Sequence, residues 1–249
     1  MLTTRRSILV LFLLSACASV RAPARALRVA SDLDNPPFAW VDESGVPRGR
    51  DVEMMQALAR ALGRTLTWER MDFEGLLDAC ERGEVDLVCA TLGATPERAK
   101  RVLLSRTYYA TTLEVVVPNQ AGAAVALADL AGKRVLASPG TTSERALHRL
   151  LPQCVPVVRS KASDEVAQRP AALFASGAID AAIMDGPAAR ALVAGSANRL
   201  KILAPSLERE DYVLALPKGQ RELLAGLDRE LVRMEKSGEL ERLNRTFDL

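Results

Sequence analysis

Residues 95–98, Thr-Pro-Glu-Arg, follow an apolar run and carry the clearest potential chemistry in the chain. A guanidinium can hold a carboxylate by two parallel hydrogen bonds, which a lysine ammonium cannot do. Arg98 stands at the start of a predicted helix, where free backbone N–H groups also favour an anion. The alternative is structural: Thr95 caps the helix, Pro96 takes its first position, and Arg98 is solvated. These four residues alone leave both interpretations open.

Metal binding and nucleophilic catalysis find no support in the residue types. The only histidine, His148, lies on a predicted helix face, and no Cys/His spacing is typical of a metal site. We therefore predict no catalytic residue, no metal and no cofactor. Cys80, Cys89 and Cys154 either include one disulfide, for which Cys80 and Cys89 are the candidates, or are all small buried hydrophobic residues.

The composition indicates a folded body with a large aliphatic core. Of the 249 residues 49% are hydrophobic but only 4% aromatic, which predicts one large or two small domains packed mainly from Ala, Leu and Val. Residues 1–26 hold four of the 33 cations and none of the 31 acids, so the rest carries 29 against 31, a net charge of −2. No basic stripe is present, and we predict no nucleic-acid partner.

Residues 1–26 have the features of an export signal. Arg5 and Arg6 precede a short apolar run at 8–14, which is far shorter than the ~20 residues needed to span a bilayer. The following Leu-Ser-Ala-Cys resembles a bacterial lipobox, which predicts a lipidated Cys17. A rival cleavage site is the Ala-Arg-Ala at 24–26. The body is predicted to lie in the periplasm or at the cell surface.

Hydrophobic periodicity predicts strands alternating with helices, and therefore an α/β fold with mainly parallel sheets. Predicted strands cover 27–32, 65–71, 85–93, 113–118, 133–140, 155–160, 179–186, 200–205 and 212–219. Predicted helices cover 50–63, 73–83, 96–101, 142–152, 163–177, 187–195 and a long tail from 220 that Gly238 divides. Prolines and glycines at 35–49 predict a loop with a hairpin.

Four short motifs in order give the chain a family resemblance. They are Pro37-Phe38 before a Gly-x-Asp-Val at 49–52, the Gly-x-x-Asp at 83–86, the Thr-x-x-Arg at 95–98, and the Ser-x-x-Tyr at 105–108. Together they resemble the polar amino-acid-binding family (family 3) of bacterial periplasmic solute-binding proteins of ABC transporters, over residues 27–249. Each motif alone is weak, but four at the expected spacing are specific.

The resemblance implies a type II periplasmic-binding-protein fold with two lobes, two hinge crossings and closure around a ligand. Lobe 1 would comprise 27–116 and 209–249, and lobe 2 would comprise 117–208 with the crossings. It also implies a monomer that captures an amino acid or related small carboxylate and delivers it to the membrane permease of an ABC transporter.

The same resemblance assigns roles to single residues. Arg98 matches the carboxylate-binding arginine, Asp185 the ammonium-binding acid, and Phe73 the aromatic ring that covers the ligand side chain. The turn at 138–145 matches one that reaches the carboxylate, with Thr141 and Thr142 as contributors, although Thr142 or Ser143 could equally be a helix N-cap. Lys100, Arg101 and Arg106 are predicted to be solvated.

Departures from the family pattern concern the remaining site residues. Asn35 and Arg50 stand where members often carry an aromatic residue, and Gly93, two residues after Thr91, stands where they often carry Thr or Ser. These changes predict a pocket for a different or larger ligand. Asp32 ends a predicted strand and either reads a polar ligand side chain or caps a turn.

Two other functions remain open on the sequence. A cyclohexadienyl dehydratase resembles the same family and adds a catalytic carboxylate, for which Glu208, Glu210 and Asp211 are the candidates. A detached sensory module is the other alternative. Turnover of prephenate or arogenate would identify the enzyme, and gene neighbourhood would separate transport from sensing.

The lipobox gives a testable prediction about anchoring. If Cys17 is the lipidated N-terminus, Cys17→Ser removes the acylated thiol and should release the protein from the membrane fraction, measured by fractionation and N-terminal mass analysis. A native protein that is soluble and begins at Leu27 would show that the lipobox interpretation is wrong.

Overall fold

A computed structural model describes residues 25–158 and 169–249. Its strands are β1 Leu27–Ser31, β2 Asp34–Asn35, β3 Ala39–Val41, β4 Pro47–Arg48, β5 Leu66–Arg70, β6 Leu87–Gly93, β7 Leu103–Leu104, β8 Tyr109–Pro118, β9 Arg134–Ala137, β10 Val155–Val158, β11 Ala181–Asp185 and β12 Leu200–Leu216. Its α-helices are α1 Arg50–Ala61, α2 Phe73–Glu81, α3 Pro96–Arg101, α4 Thr142–Leu150, α5 Pro170–Ala175, α6 Gly186–Ala194, α7 Arg221–Lys236 and α8 Glu239–Thr246. A 3-10 turn covers Leu127–Leu130.

One large sheet carries the fold in the order β10-β9-β11-β8-β12-β6-β1-β5, with β7 paired to β12. The pairs β1–β5, β1–β6, β9–β10 and β9–β11 are parallel, whereas β8 and β12 pair antiparallel with each other and with the strands beside them. The predicted α/β class is confirmed, with parallel strands at each end of the sheet and antiparallel strands in the middle.

The buried apolar residues form two groups on either side of this middle. One group comes from 27–108 and 212–234 and packs β1, β6, α1, α2 and α7. The other comes from 113–203 and packs β8, β9, β11, α4 and α6. The long strands β8 and β12 run through both groups of buried residues and connect them.

Most predicted elements are present, but one division is wrong. The segments 200–205 and 212–219 are predicted as separate strands, whereas the structure joins them in the 17-residue strand β12. The polar residues between them continue the pairing with β8 after a register shift between Leu203 and Glu208. Cross-strand pairing therefore overrides the local signal of Pro205. Gly238 divides α7 from α8 in the left-handed conformation, as predicted.

Two predictions concern residues outside the described ranges, namely the export signal with Cys17 and part of the helix predicted at 163–177. Within 25–158 and 169–249, no helix has the length and apolar character to cross a membrane. Cys80, Cys89 and Cys154 are buried free thiols here, which agrees with the hydrophobic interpretation.

Two of the sequence motifs meet in a buried hydrogen bond. Gly49 has φ +124°, and a Cβ there would lie 2.2 Å from the carbonyl oxygen of Phe38, so only glycine fits before α1. Asp51, the acid of this motif, accepts a 2.7 Å hydrogen bond from the Tyr108 hydroxyl of the Ser-x-x-Tyr motif. Burial raises the pKa of Asp51 and raises that of Tyr108 well above its ordinary value.

Arg50 completes this buried network instead of facing a ligand. Its side chain is fully buried, contacts Asp51 at 3.0 Å and donates to the carbonyl of Tyr108 at 3.1 Å and to Asn244 Oδ1 at 3.1 Å. The guanidinium also lies over the rings of Tyr108 and Tyr109. The departure at Arg50 therefore stabilises the packing of α1 and α8, and it gives no information about the ligand.

The network yields a stability prediction. Tyr108→Phe removes a donor from a buried carboxyl group and should lower the free energy of unfolding by about 1–3 kcal/mol, measured by urea denaturation. Tyr109→Phe is the matched control, because its hydroxyl makes no hydrogen bond within the described residues, and it should change stability by less than about 0.5 kcal/mol. Equal effects of both changes would contradict a special role for the Asp51–Tyr108 bond.

Candidate functional site

The candidate site lies where the ends of β6 and β11 and the middle of β12 meet the first turns of α3 and α4. Three strands that have parallel neighbours, covering 27–32, 87–93 and 181–185, end near this site. Folds of this kind bind ligands at the carboxyl ends of their parallel strands. Arg98 lies within the range of one core group and Thr142 and Asp185 within that of the other, while Glu210 lies on β12, which connects the two.

Arg98 is buried, with 8% of its surface exposed, so the solvated interpretation is wrong. Its guanidinium donates to the carbonyl oxygens of Gly93 at 2.6 Å and Gly140 at 2.8 Å, and its Cζ lies 5.7 Å from the centre of the Phe73 ring. Thr95 caps α3 with Pro96 in its first turn, as predicted. The capping and buried-cation interpretations therefore hold together.

The burial of Arg98 has an electrostatic consequence. Loss of solvent lowers the pKa of its guanidinium to about 10, and the neighbouring Glu210 partly offsets this effect. The group is still cationic at neutral pH. It has five N–H donors, so the two backbone carbonyls do not exhaust its capacity for an anion. Arg101 and Arg106, in contrast, pair with surface acids, as predicted.

Asp185 ends β11 directly before α6, and its side chain does not cap that helix. It accepts a 2.6 Å hydrogen bond from the hydroxyl of Tyr212 on β12, across the boundary between the two core groups. The carboxylate is therefore oriented by Tyr212 and faces Glu210 and Arg98, whose pKa values it affects.

Glu210 is the most unusual group at the site. It is 5% exposed, its Oε1 accepts a hydrogen bond from the Thr142 hydroxyl, and its Oε2 has no hydrogen-bond partner among the described residues. Burial, followed by the proximity of Asp185, raises the pKa of Glu210 well above its ordinary value. Two carboxyl groups this close disfavour two negative charges at once.

The glycine at position 93 makes room for Glu210. A Cβ there would lie 2.5 Å from Glu210 Oε1 and 2.8 Å from Thr142 Cγ2. The Thr or Ser expected at this position therefore does not fit together with Glu210 in this arrangement. The hydroxyl group of the expected Thr or Ser at position 93 is therefore absent, and the carboxyl group of Glu210 occupies that space.

The two threonines of the α4 turn have different roles. Thr141 is the N-cap, because its hydroxyl oxygen accepts from the backbone N–H of Glu144, and its hydroxyl donates to the carbonyl of Ser138. The capping alternative for Thr142 or Ser143 is therefore wrong. Thr142 instead donates to Glu210 and lies at the site.

Three other predicted site residues lie near the ends of β1 and β6. Asn35 donates to Thr91 Oγ1 at 2.8 Å, and both side chains are buried. Thr91 has φ +48°, an unfavourable region for a β-branched residue. Asp32 is buried at the end of β1, and its carbonyl accepts from Arg70. Their roles as ligand contacts stay predictions.

Sequence reasoning did not single out Tyr212 and considered Glu210 only as one of three acids. Tyr212 lies in an apolar strand, where an aromatic residue is expected to be part of the hydrophobic core, and it is fully buried. The alternation along β12 offered one signal, because Glu210 and Tyr212 are two residues apart and share a face. Among the described residues, no group of three or more His, Cys, Asp or Glu side chains could hold a metal.

Comparison with known proteins adds independent information. The model of the bacterial extracellular solute-binding proteins, family 3, matches residues 27–247. The chain is 29% identical over 243 residues to the arginine-binding extracellular protein ArtP of Bacillus subtilis, covering 95% of this chain and 92% of that one. It is 28% identical over 210 residues to the L-cystine-binding protein TcyJ of Escherichia coli, covering 84% and 77%.

A solved structure has the same fold. An ancestral arginine-binding protein bound to arginine superposes with a TM-score of 0.80 at 29% identity, covering 89% of this chain and 97% of that one.

The close approach at Gly93 gives a prediction that separates packing from general strain. Gly93→Ala should lower the free energy of unfolding by about 1–3 kcal/mol, the usual cost of overpacking. In a Glu210→Ala background the same change should cost less, since the nearest atom is gone. Urea denaturation of the wild-type protein, the two single variants and the double variant completes this double-mutant cycle and measures how strongly the two positions are coupled.

Gly75→Ala is the matched control, because nothing lies within 4 Å of a Cβ there and the residue is inside α2. It should stabilise the protein slightly. An equal cost of Gly93→Ala in both backgrounds would show that Glu210 is not what requires the glycine.

Proposed function

The chain belongs to the family 3 bacterial extracellular solute-binding proteins, as its motifs indicated, and on this premise we propose that it captures an α-amino acid between two lobes. In this proposal Arg98 binds the ligand carboxylate and Asp185 binds the ammonium group. The relatives reported above are named as binding proteins, and we infer binding without turnover.

The observation that carries the proposal is a buried cation and an acid that face each other from the two core groups. Arg98 is 8% exposed and has donors beyond those that backbone carbonyls occupy. Asp185 is oriented by Tyr212 and is close enough to influence Arg98. A zwitterion complements this pair, because each end of the ligand meets the opposite charge.

The lobe boundaries in this proposal lie near the limits of the core groups, although Leu113, Val115 and Val116 pack in the second group. Lobe 1 comprises about 27–116 and 209–249, and lobe 2 about 117–208, with β8 and β12 as the crossings. At their register shift, Glu114 accepts from Thr112 at 2.5 Å and from Ser206 at 2.8 Å. This small network lies where a hinge would bend, and it joins the two crossings by side chains that can exchange partners.

The cellular role follows from the family. We infer that the protein is extracytoplasmic and monomeric, is anchored through Cys17, and hands its ligand to the permease of an ABC transporter. Phe73, whose ring already lies beside Arg98, would cover the ligand side chain.

The clamp predicts a strong effect of Arg98 on affinity. Binding is first found by a thermal-shift screen of the L-amino acids, in which a hundredfold excess over Kd stabilises by about 2.7 kcal/mol. Arg98→Ala should then weaken binding by about 2–5 kcal/mol, roughly thirtyfold to several thousandfold, because the ligand carboxylate is buried unpaired. Arg98→Lys should also weaken binding, since a lysine ammonium cannot replace the two parallel hydrogen bonds of the planar guanidinium.

Arg101→Ala is the control, since Arg101 pairs with Asp78 and Glu81 on the surface and should leave Kd unchanged. Calorimetry gives Kd, and ligand-free melting curves show whether loss of the Gly93 and Gly140 contacts alone explains the result. Equal affinities of Arg98→Ala and Arg101→Ala would overturn the clamp. A silent Asp185→Asn would show that the bound molecule lacks an ammonium group.

A further inference from the structure

The site contains one more acid than a zwitterion requires. Asp185 suffices for an ammonium group, yet Glu210 is 95% buried beside it at the site. Burying an ionised carboxylate without partners is costly, and a buried acid therefore keeps its proton unless a cation arrives. Among the described residues, Glu210 Oε1 accepts a hydrogen bond from the Thr142 hydroxyl, and the buried Oε2 has no partner.

We propose that Asp185 and Glu210 form a paired-carboxyl subsite in which the ammonium group of the ligand replaces a proton held between the two acids, so that ligand capture releases a proton. This inference rests on the proposed function and names the chemistry of its ammonium end.

The geometry supports a pair and not two independent acids. The Tyr212 hydroxyl occupies Asp185 Oδ2, and the Thr142 hydroxyl occupies Glu210 Oε1. Each carboxyl group therefore has one oxygen fixed by a neutral donor. Glu210 Oε2 is buried with no hydrogen-bond partner among the described residues. Glu210 and Tyr212, whose hydroxyl donates to Asp185, lie two residues apart on the same face of β12, which brings the two carboxyl groups to one side of the strand. An ammonium group offers three donors and can satisfy both acids at once.

The ionisable groups around Asp185 and Glu210 are not expected to release the proton, because each is already charged and paired or keeps its own proton. Arg98 from α3 faces Glu210 and Asp185 and is already a cation. Arg190 from α6 lies beside Gly186, next to Asp185. Glu208 is paired with Arg149, and Asp211 with Arg209. Tyr212 holds its proton, since burial raises its pKa well above the ordinary value. Thr111, the cross-strand partner of Glu210, is neutral.

The sign of the pH dependence follows from linkage. Without ligand the pKa of Glu210 is raised well above its ordinary value, and a bound ammonium group lowers it. Between these two pKa values, binding requires loss of the Glu210 proton to solvent, so affinity rises with pH by up to about tenfold per pH unit. Above the raised value the acid is already ionised, and affinity no longer changes.

Calorimetry tests the proposal directly. L-arginine, L-glutamine and L-cystine, each with an α-ammonium group, are titrated into the full mature protein in phosphate and in HEPES, whose ionisation enthalpies differ. Any of the three that binds should show an observed enthalpy that depends on the buffer, corresponding to release of up to one proton, with a Kd that tightens as pH rises.

Glu210→Gln keeps the side-chain shape and the acceptor for Thr142 but cannot release a proton. It should abolish both the buffer dependence and the pH slope. Asp211→Asn is the matched control, because this neighbouring acid is paired with Arg209 on the other face of β12, and it should leave both unchanged.

The outcomes separate the two proposals. If none of the three amino acids nor any other in the thermal-shift screen binds, the proposed function fails and this inference with it. If one binds to the wild-type protein with the same enthalpy in both buffers, only the proton coupling is overturned. Retention of full proton release in Glu210→Gln would also overturn it. Because the wild-type measurement stands alone, a variant that failed to fold would not remove the test.

Discussion

The antiparallel pairing of β8 with β12 is the interaction on which the rest of the structure depends. These strands form the middle of the sheet, and each passes from one core group to the other. Their register has one irregularity, between Leu203 and Glu208, and Glu114 fills it with hydrogen bonds from both strands. Because Glu210 and Tyr212 follow that shift on β12, the register decides which side chains reach Asp185. The site is thus a consequence of how two strands cross the sheet.

Charge balance is the second constraint. Arg98 and Glu210 are both nearly enclosed, and neither is fully compensated by the other, since the guanidinium is held by carbonyls and the acid by Thr142. The site therefore holds a buried cation, a carboxyl group oriented by Tyr212 and a second, buried carboxyl group whose pKa is raised by burial. Such an arrangement suits a molecule with both an anionic and a cationic end. The buried Arg50–Asp51–Tyr108 network shows the opposite case, where charges satisfy each other and fix packing.

The departures from the family pattern take on different meanings in three dimensions. Arg50 stabilises the core and is irrelevant to the ligand. Asn35 donates a hydrogen bond to Thr91, so part of its hydrogen-bonding capacity is used within the protein. Gly93 is coupled to Glu210, since the carboxyl group occupies the space that a side chain at 93 would fill. One substitution in the sequence is therefore explained by a residue 117 positions later, which no local pattern reveals.

The sequence by itself determined the family, the α/β class and the position of Arg98, because motif spacing and hydrophobic periodicity are local properties of the chain. It also indicated the caps at Thr95 and Gly238 from local turn chemistry. It did not decide that 200–216 is one strand, that Thr141 and not Thr142 is the cap, or that Glu210 meets Asp185. Those outcomes depend on cross-strand register and on burial, which arise only when residues distant in sequence pack together. Burial is also what raises the pKa of Glu210 well above its ordinary value, so tertiary structure decided the electrostatics of this acid.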